Sequence, residues 1–401
     1  MPTPITPSRY AVELRSKSPF NLKARLEPFI TNLTWEWNRI GGCGRASFTI
    51  EGDYVRLTIS ADDDIRIYLP NEGGGSTLWY RGYVERVTPQ LSGPKQNIRV
   101  ECMGYSGWFE RLIVHDAGGV KTYTNTEVSA IITSIINTFV VPNTNITLGT
   151  IDVSMFTPDT LEFKGTVKDA LRTLFDLLGT IEYGVNANLV FFWRTQLSTV
   201  QHKFWIGDKI TQISDRLNFD NIVNRIYFEG GKVGDVTFTQ TGDSTLSQVQ
   251  YGLHEQIISN GSIVTPAVAA QYISGIFAQR SKPLYERSFG LKNTKTRFEA
   301  NIPIGLISVI DPNISQIQAI YGTTANGGSN KIYGTASSGG SNQLYGGFRK
   351  DNFDRVKYSP SPMDGRVDAD IQLGNSLGYS LASAELKQLE LSLESVRQRD
   401  L

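Results

Sequence analysis

Histidine and cysteine are scarce in this chain of 401 residues: three of the first and two of the second. His115, His202 and His254 stand in three separate contexts, none with a cysteine, histidine or carboxylate at metal-ligand spacing, so no metal site is expected. Cys43 and Cys102 are too few for a disulfide framework, and their strand-like surroundings point to buried free thiols. Excess charge is lacking too, with 39 Lys and Arg against 39 Asp and Glu. That balance gives no general attraction to nucleic acid or anionic lipid, so DNA meeting this protein is not held by bulk charge. No apolar run approaches the length of a membrane span, and no stable membrane insertion is expected. Residues Met1 to Tyr10 carry three prolines and no apolar core, which is not the pattern of a signal peptide; the chain is expected to be made and folded in a cytoplasm. There is no Gly-x-Ser-x-Gly elbow, no His-Glu-x-x-His and no phosphate loop. No cofactor is expected, and the chain is read as not an enzyme.

Glycine (38 residues) and aromatic side chains (10%) are plentiful, a mixture of turns and strands, and the length suits two to four domains. The organising stretch is Leu78 to Val114. Leu78 to Val87 reads as a strand, Ser92-Gly93-Pro94 breaks it, and Asn97 to Met103 returns with Ile98, Val100 and Cys102 on one face. Gly104 and Ser106 open a short helical turn that carries Trp108, Phe109 and Leu112, an apolar plug for a small closed β-module. Upstream, Leu33, Trp35 and Trp37 alternate with polar residues as in a half-buried strand, and Gly41 to Gly44 reads as a turn or bulge. Val55 to Ile59 and Ile65 to Leu69 read as strands, split by Ala61-Asp62-Asp63-Asp64, which lacks the glycine and terminal glutamate of an EF-hand and is expected to be a solvated turn. The carboxylates Asp62 and Asp64 are accordingly expected in a loop without burial.

Near residue 120 the period changes from two to about 3.6. Thr124 and Glu127 predict a capping box, followed by Val128, Ile131, Ile132, Ile135 and Phe139 on one helical face. Thr166 is predicted to cap a second helix that stops at Gly179, ahead of a hairpin across Asn186-Ala187-Asn188. Strands return after about 213. Thr265 and Pro266 start another helix, with Ala269, Tyr272, Ile273, Ile276 and Phe277 on one face. Ile320-Tyr321-Gly322-Thr323 recurs twelve residues later at Tyr333 and again at Tyr345. This Gly/Ser-rich repeat is too poor in apolar residues to form a core, so Tyr321, Tyr333 and Tyr345 are candidates for an external contact loop. Finally Tyr379, Ala382, Leu386, Leu389, Leu393 and Val396 follow heptad spacing. Either the helix packs on its own subunit, or Leu386, Leu389, Leu393 and Val396 form a trimer interface.

Tyr80-Arg81-Gly82, a return strand ending at Gly104 and the segment Phe109-Glu110-Arg111-Leu112 resemble the N-terminal domain of phage tail hub proteins, related to the hub part of type VI spike proteins. A helix followed by Gly179-Thr180-Ile181-Glu182-Tyr183 and a Leu-Val-Phe-Phe strand is similar to the second hub domain. Asp220 to Gly231 resembles the opening strand of the third, with Tyr251-Gly252, a helix, a Pro-led strand and Val367 to Gly374 in the family's order. The resemblance implies a mainly β chain with α+β character: two related β-barrel tube-type modules flanking a small α/β domain, then a C-terminal helix. The expected division is 1–115, 116–212, 213–375 with the repeat insertion at about 312–350, and 376–401. It further implies a virion-tail location and a homotrimeric ring joining a six-fold tail tube to a three-fold tip. The implied partners are a tail-tube or distal tail protein, a spike or tip protein and the tape-measure protein, with DNA only in transit. Some hub relatives carry an appended lysozyme or peptidase domain; the length after the third module leaves no room for one here. The competing expectations are a tail-tip cell-wall hydrolase, which two distant carboxylates could supply, and a carbohydrate-binding adhesin.

Overall fold

The computed structural model describes residues 10–51, 58–70, 75–92, 95–179, 181–195, 200–205, 210–294, 306–310, 348–351, 353–360 and 367–373. The first part of the chain is all strand: β1 (Ala11–Arg15), β2 (Leu22–Arg25), β3 (Ile30–Asn38), β4 (Ile40–Glu51), β5 (Asp64–Pro70), β6 (Ser76–Ser92) and β7 (Lys95–Gly104). The alternation in β3 does what it predicts, burying Leu33, Trp35 and Trp37. Ile98, Val100 and Cys102 of β7 face the same core from across the sheet, with Phe48 and Tyr80 among its largest members. Burial pushes the Cys43 thiol up to about 12 and raises that of Cys102 too; both cysteines are free. Tyr105–Glu110 forms the expected helical turn, as a 3-10 helix with Tyr105 and Phe109 buried.

The central part carries β8 (Lys121–Thr124), α1 (Val128–Ile135), β9 (Thr147–Ile151), β10 (Thr160–Phe163), α2 (Val167–Leu178), β11 (Ile181–Val185) and β12 (Val190–Thr195). Thr166 caps α2 through a reciprocal capping box with Asp169, and Gly179 ends it in a left-handed conformation at φ 79°. The predicted Thr124–Glu127 box does not form. Glu127 is itself the cap of α1, because its side chain accepts from the Ser129 backbone.

Beyond it lie β13 (Val200–Trp205), β14 (Ile210–Asn218), β15 (Arg225–Val233), β16 (Val236–Asp243), α3 (Thr245–Tyr251), β17 (Glu255–Ser259), α4 (Pro266–Arg280), β18 (Leu284–Thr294), β19 (Leu306–Ile310), β20 (Phe348–Asp351), β21 (Phe353–Pro360) and β22 (Val367–Leu373). The fold is mainly β with α+β character, as the sequence predicts.

Closure is the difference. The main sheet has fourteen strands along the path β14-β18-β22-β21-β3-β4-β7-β6-β5-β1-β2, with β11, β12 and β9 branching from β4. Among the described residues this path does not return on itself, so the small closed module expected around Leu78 to Val114 is instead a stretch of an open sheet. The reason is the pairing of β21 with β3, in register at Tyr358 with Trp35. It occupies the edge of β3 and extends the sheet into strands from the far end of the chain.

Two cores result. One fills the concavity of β1 to β7. The other gathers α1, α2, the plug residues Tyr105 and Phe109, and also Ile226, Phe228 and the apolar face of α4. The α4 residues Ala269, Tyr272, Ile273 and Ile276 are buried there, so this helix packs with α2 rather than with the β-strands that follow it. The cores meet where β11 runs parallel to β4, pairing Gly184 with Gly41 and Val185 with Gly42. Gly42 has φ 77° and lies so close to Val185 that a Cβ would sit 2.3 Å from its carbonyl oxygen. The glycines from 41 onward thus form a bulged stretch inside β4, flat enough for a second strand to dock. Trp37 stacks on Phe192 across the same junction, centroids 6.1 Å apart.

Candidate functional site

The densest set of ionisable groups lies at the turn into β5, where the sequence predicts solvated aspartates. Asp63 and Asp64 are instead buried. Asp64 Oδ1 accepts from Arg81 Nε at 2.7 Å and from the Tyr105 hydroxyl at 2.7 Å, and its Oδ2 accepts from Arg66 Nε at 2.6 Å. Asp63 receives Lys23 Nζ at 2.7 and 2.9 Å and the Ser60 backbone N–H at 2.8 Å. Asp62 bridges Lys17 at 3.0 Å and Arg111 at 2.9 Å. Its partial burial opposes ionisation, but the hydrogen bonds from Arg111 and Lys17 outweigh that and hold the carboxyl below its usual range. Aromatic faces complete the cluster. The Arg81 guanidinium lies 4.4 Å from the Phe20 ring, and that of Arg111 lies 4.8 Å from both Tyr83 and Trp108.

A carboxylate that serves as acid, base or nucleophile needs an unoccupied oxygen within reach of a substrate. Both oxygens of Asp64 are engaged and the side chain is fully enclosed. Burial and the adjacent Asp64 raise the Tyr105 phenol, which therefore stays protonated and donates. The arrangement is a clasp. It ties the β1–β2 loop, β2, the turn into β5, β6 and the 3-10 turn to one another. One signal for it was present in the sequence: Asp64 and Arg66 sit two apart and share a strand face opposite Ile65 and Ile67.

A second carboxylate is similarly committed. Glu127 accepts from the Ser154 backbone at 2.8 Å, from the Ser154 hydroxyl at 2.6 Å and from the Ser129 hydroxyl. Burial pushes this acid up, but the hydrogen bonds from Ser129 and Ser154 overcome it and bring the carboxyl down to about 2. On the outer face of β3, β4, β7 and β6, a shallow groove is lined by Glu36, Arg45, Glu85, Arg86, Arg99 and Glu101. Signs alternate across it, with Arg99 and Arg86 pairing to Glu101 at 3.1 and 3.6 Å. His254 Nε2 lies 3.2 Å from the Tyr251 carbonyl, and His115 packs against Phe139. The described residues hold no group of three His, Cys, Asp or Glu side chains placed for a metal, and no helix among them is long and apolar enough to cross a membrane. The sequence-predicted contact residues Tyr321, Tyr333 and Tyr345, and the seam of Leu386, Leu389, Leu393 and Val396, lie outside the described residues.

The whole architecture matches solved structures. A tail protein from Neisseria meningitidis MC58 aligns with a TM-score of 0.56 at 11% identity, covering 92% of this chain and 97% of that one. The 43 kDa tail protein of prophage MuSo2 from Shewanella oneidensis aligns with a TM-score of 0.56 at 11% identity, covering 91% and 98%. The fold is that of prophage tail proteins. Prophage tail protein gp18 from Listeria monocytogenes EGD-e extends the match to 96% of this chain and 99% of that one, with a TM-score of 0.51 at 10% identity. The tail-protein fold thus accounts for the chain nearly end to end. No protein-family model matches the chain, and no curated protein sequence does.

Proposed function

We propose that this chain is a structural hub at the distal end of a phage tail, resident in the virion. The observation that carries the reading is the end-to-end correspondence with a tail protein, 92% of this chain against 97% of that one, which leaves little of either outside the shared fold. Three copies form a ring, and each contributes two β-modules, at 1–115 and 213–375. Six modules in a ring of three give a pseudo-six-fold face for a tail tube and a three-fold face for a tip or spike. The ring surrounds the channel through which the tape-measure protein and then DNA leave. The residues 376–401 add a helical seam of Leu386, Leu389, Leu393 and Val396 between copies, and the Tyr321, Tyr333 and Tyr345 insertion faces outward.

A non-enzymatic role is favoured by the state of the carboxylates: Asp62, Asp63, Asp64 and Glu127 are all engaged in hydrogen bonds within the fold. The test is light scattering of the pure protein, alone and with its tail-tube partner. A mass of three chains, alone or on the tube, is expected. A monomer or dimer under both conditions would remove the ring.

A further inference from the structure

The helix α3 is inside out. Its buried residue is Ser247, whose hydroxyl donates to the Ser281 carbonyl at 2.5 Å and accepts from the Asn224 amide at 3.3 Å. Gln248 fixes it further, donating to the Asn224 carbonyl at 2.9 Å and to Asp243 at 2.6 Å. Leu246 and Val249, three residues apart and so on one helical face, are 87% and 83% exposed. Leu253 and Ile257 stand two residues on either side of Glu255, in step with one another, and Tyr227 is in register with Ile257 on the neighbouring strand. All three are exposed. Around them runs a polar rim, with Arg225 paired to Asp243 at 2.6 Å and to Glu255 at 3.4 Å.

A second apolar feature lies elsewhere on the chain. Ser154 is pinned by the Glu127 carboxylate, and the Phe156 carbonyl accepts from the Val128 backbone at 3.0 Å. Held between these anchors, Val153 and Met155 project outward, Met155 being 93% exposed in the left-handed conformation at φ 56°. Methionine rarely adopts that conformation, and here four hydrogen bonds to Glu127 enforce it beside the N-terminus of α1. In the layering of this portion α1 packs on α2, α2 on α4 and α4 on β15 and β16. The knob at α1 and the patch at α3 and β17 therefore belong to different layers of the stack.

We infer that the knob of one copy, Val153 and Met155, seats on the patch of the next copy, formed by Leu246, Val249, Leu253, Tyr227 and Ile257. This rests on the ring proposed above and names surfaces that build it. The occupant is a second copy because one chain carries both halves. A contact that uses two different surfaces of the same chain is heterologous, and heterologous contacts repeat around a closed ring. The patch presents roughly 400–500 Å² of apolar surface, the size at which exposed patches mark contacts. That is about half of the ~800 Å² each partner brings to a stable interface, and the Arg225 rim and the knob's flanks extend it.

The test uses full-length protein in sedimentation velocity over a concentration series, with Met155→Asp as the knob variant and Leu246→Asp with Val249→Asp as the patch variant. Each variant alone is expected to lose self-association at least ten-fold. The two variants mixed retain one intact knob and one intact patch, and are expected to form a pair of one each that grows no further. A disulfide between copies provides the second readout: Met155→Cys with Val249→Cys in one chain is expected to give a ladder that closes at three chains. Wild-type association that neither variant weakens overturns the inference and leaves the hub reading standing. Ladders that run past three chains uphold the contact and remove the ring of three. Wild type that stays single, with and without the tube and with no disulfide ladder, overturns both. A fall in melting temperature of more than about 5 °C for the patch variant means that Leu246 and Val249 pack on this chain's own residues, which also overturns it.

Discussion

Asp62 and Asp64 are two residues apart, carry the same charge and have opposite energetic weight. Asp64 is enclosed with Arg66, Arg81 and Tyr105, so removing its charge strands buried guanidinium. Asp64→Asn is expected to cost roughly 3–5 kcal/mol in a denaturant titration. Asp62 pairs with Lys17 and Arg111, both well exposed, and Asp62→Asn should cost ~1 kcal/mol or less by the same measurement. Equal losses at the two positions would contradict the clasp. Glu127 adds a pH dependence whose sign follows from its depressed carboxyl, about 2 against an ordinary 4.5. The unfolded chain takes up this proton first on acidification. Stability from Glu127 is therefore complete above about 4.5 and lost as pH falls toward 2. Hydrogen exchange at Ser129 and Ser154 should rise across that window in wild type and be high at all pH values in Glu127→Ala. At this scale the sequence misled for a physical reason. Adjacent aspartates look solvated because their partners Arg81 and Tyr105 come from 17 and 41 positions away.

Elements were legible wherever local chemistry decides them. The β3 alternation, the Thr166 cap, the Gly179 stop and the Pro266 start each rest on neighbours within a few residues. The α3 helix escaped notice because its apolar positions face outward, so its pattern does not mark a core-facing helix. The Thr124 cap failed because Glu127 found better donors in Ser129 and in Ser154, the latter 27 residues away. The junction of β4 with β11 turns on bare backbone. A Cβ at Gly184 would lie 2.2 Å from the Gly41 carbonyl carbon and 2.3 Å from the Gly42 nitrogen, with only backbone to yield. Gly184→Ala is expected to destabilise by roughly 1–3 kcal/mol, with faster exchange of the amides from Tyr183 to Val185. By comparison Thr166→Ala, which loses one cap, should cost about 1 kcal/mol and leave that junction protected. Unchanged exchange in Gly184→Ala would mean that the two cores do not depend on this seam.

Across the whole molecule, the main surprise is that β21 pairs with β3, more than 300 residues upstream, and so joins strands from both ends of the chain in one open sheet. No local period reports such a pairing, and for that reason closure of the first module was the expectation that failed. The order of elements, by contrast, was readable, and the tail-protein fold has the predicted mainly β character with helices between. A hub reading places this chain at one position in the particle, at the far end of the tail, in a fixed and small copy number. The measurement that tests this most directly is electron microscopy of assembled particles labelled with a monoclonal antibody to the chain. Label confined to the distal tip, in three copies, is the predicted result, with tails assembled without the chain lacking an organised tip. Label spread along the tail, or none on the finished particle, would contradict the account.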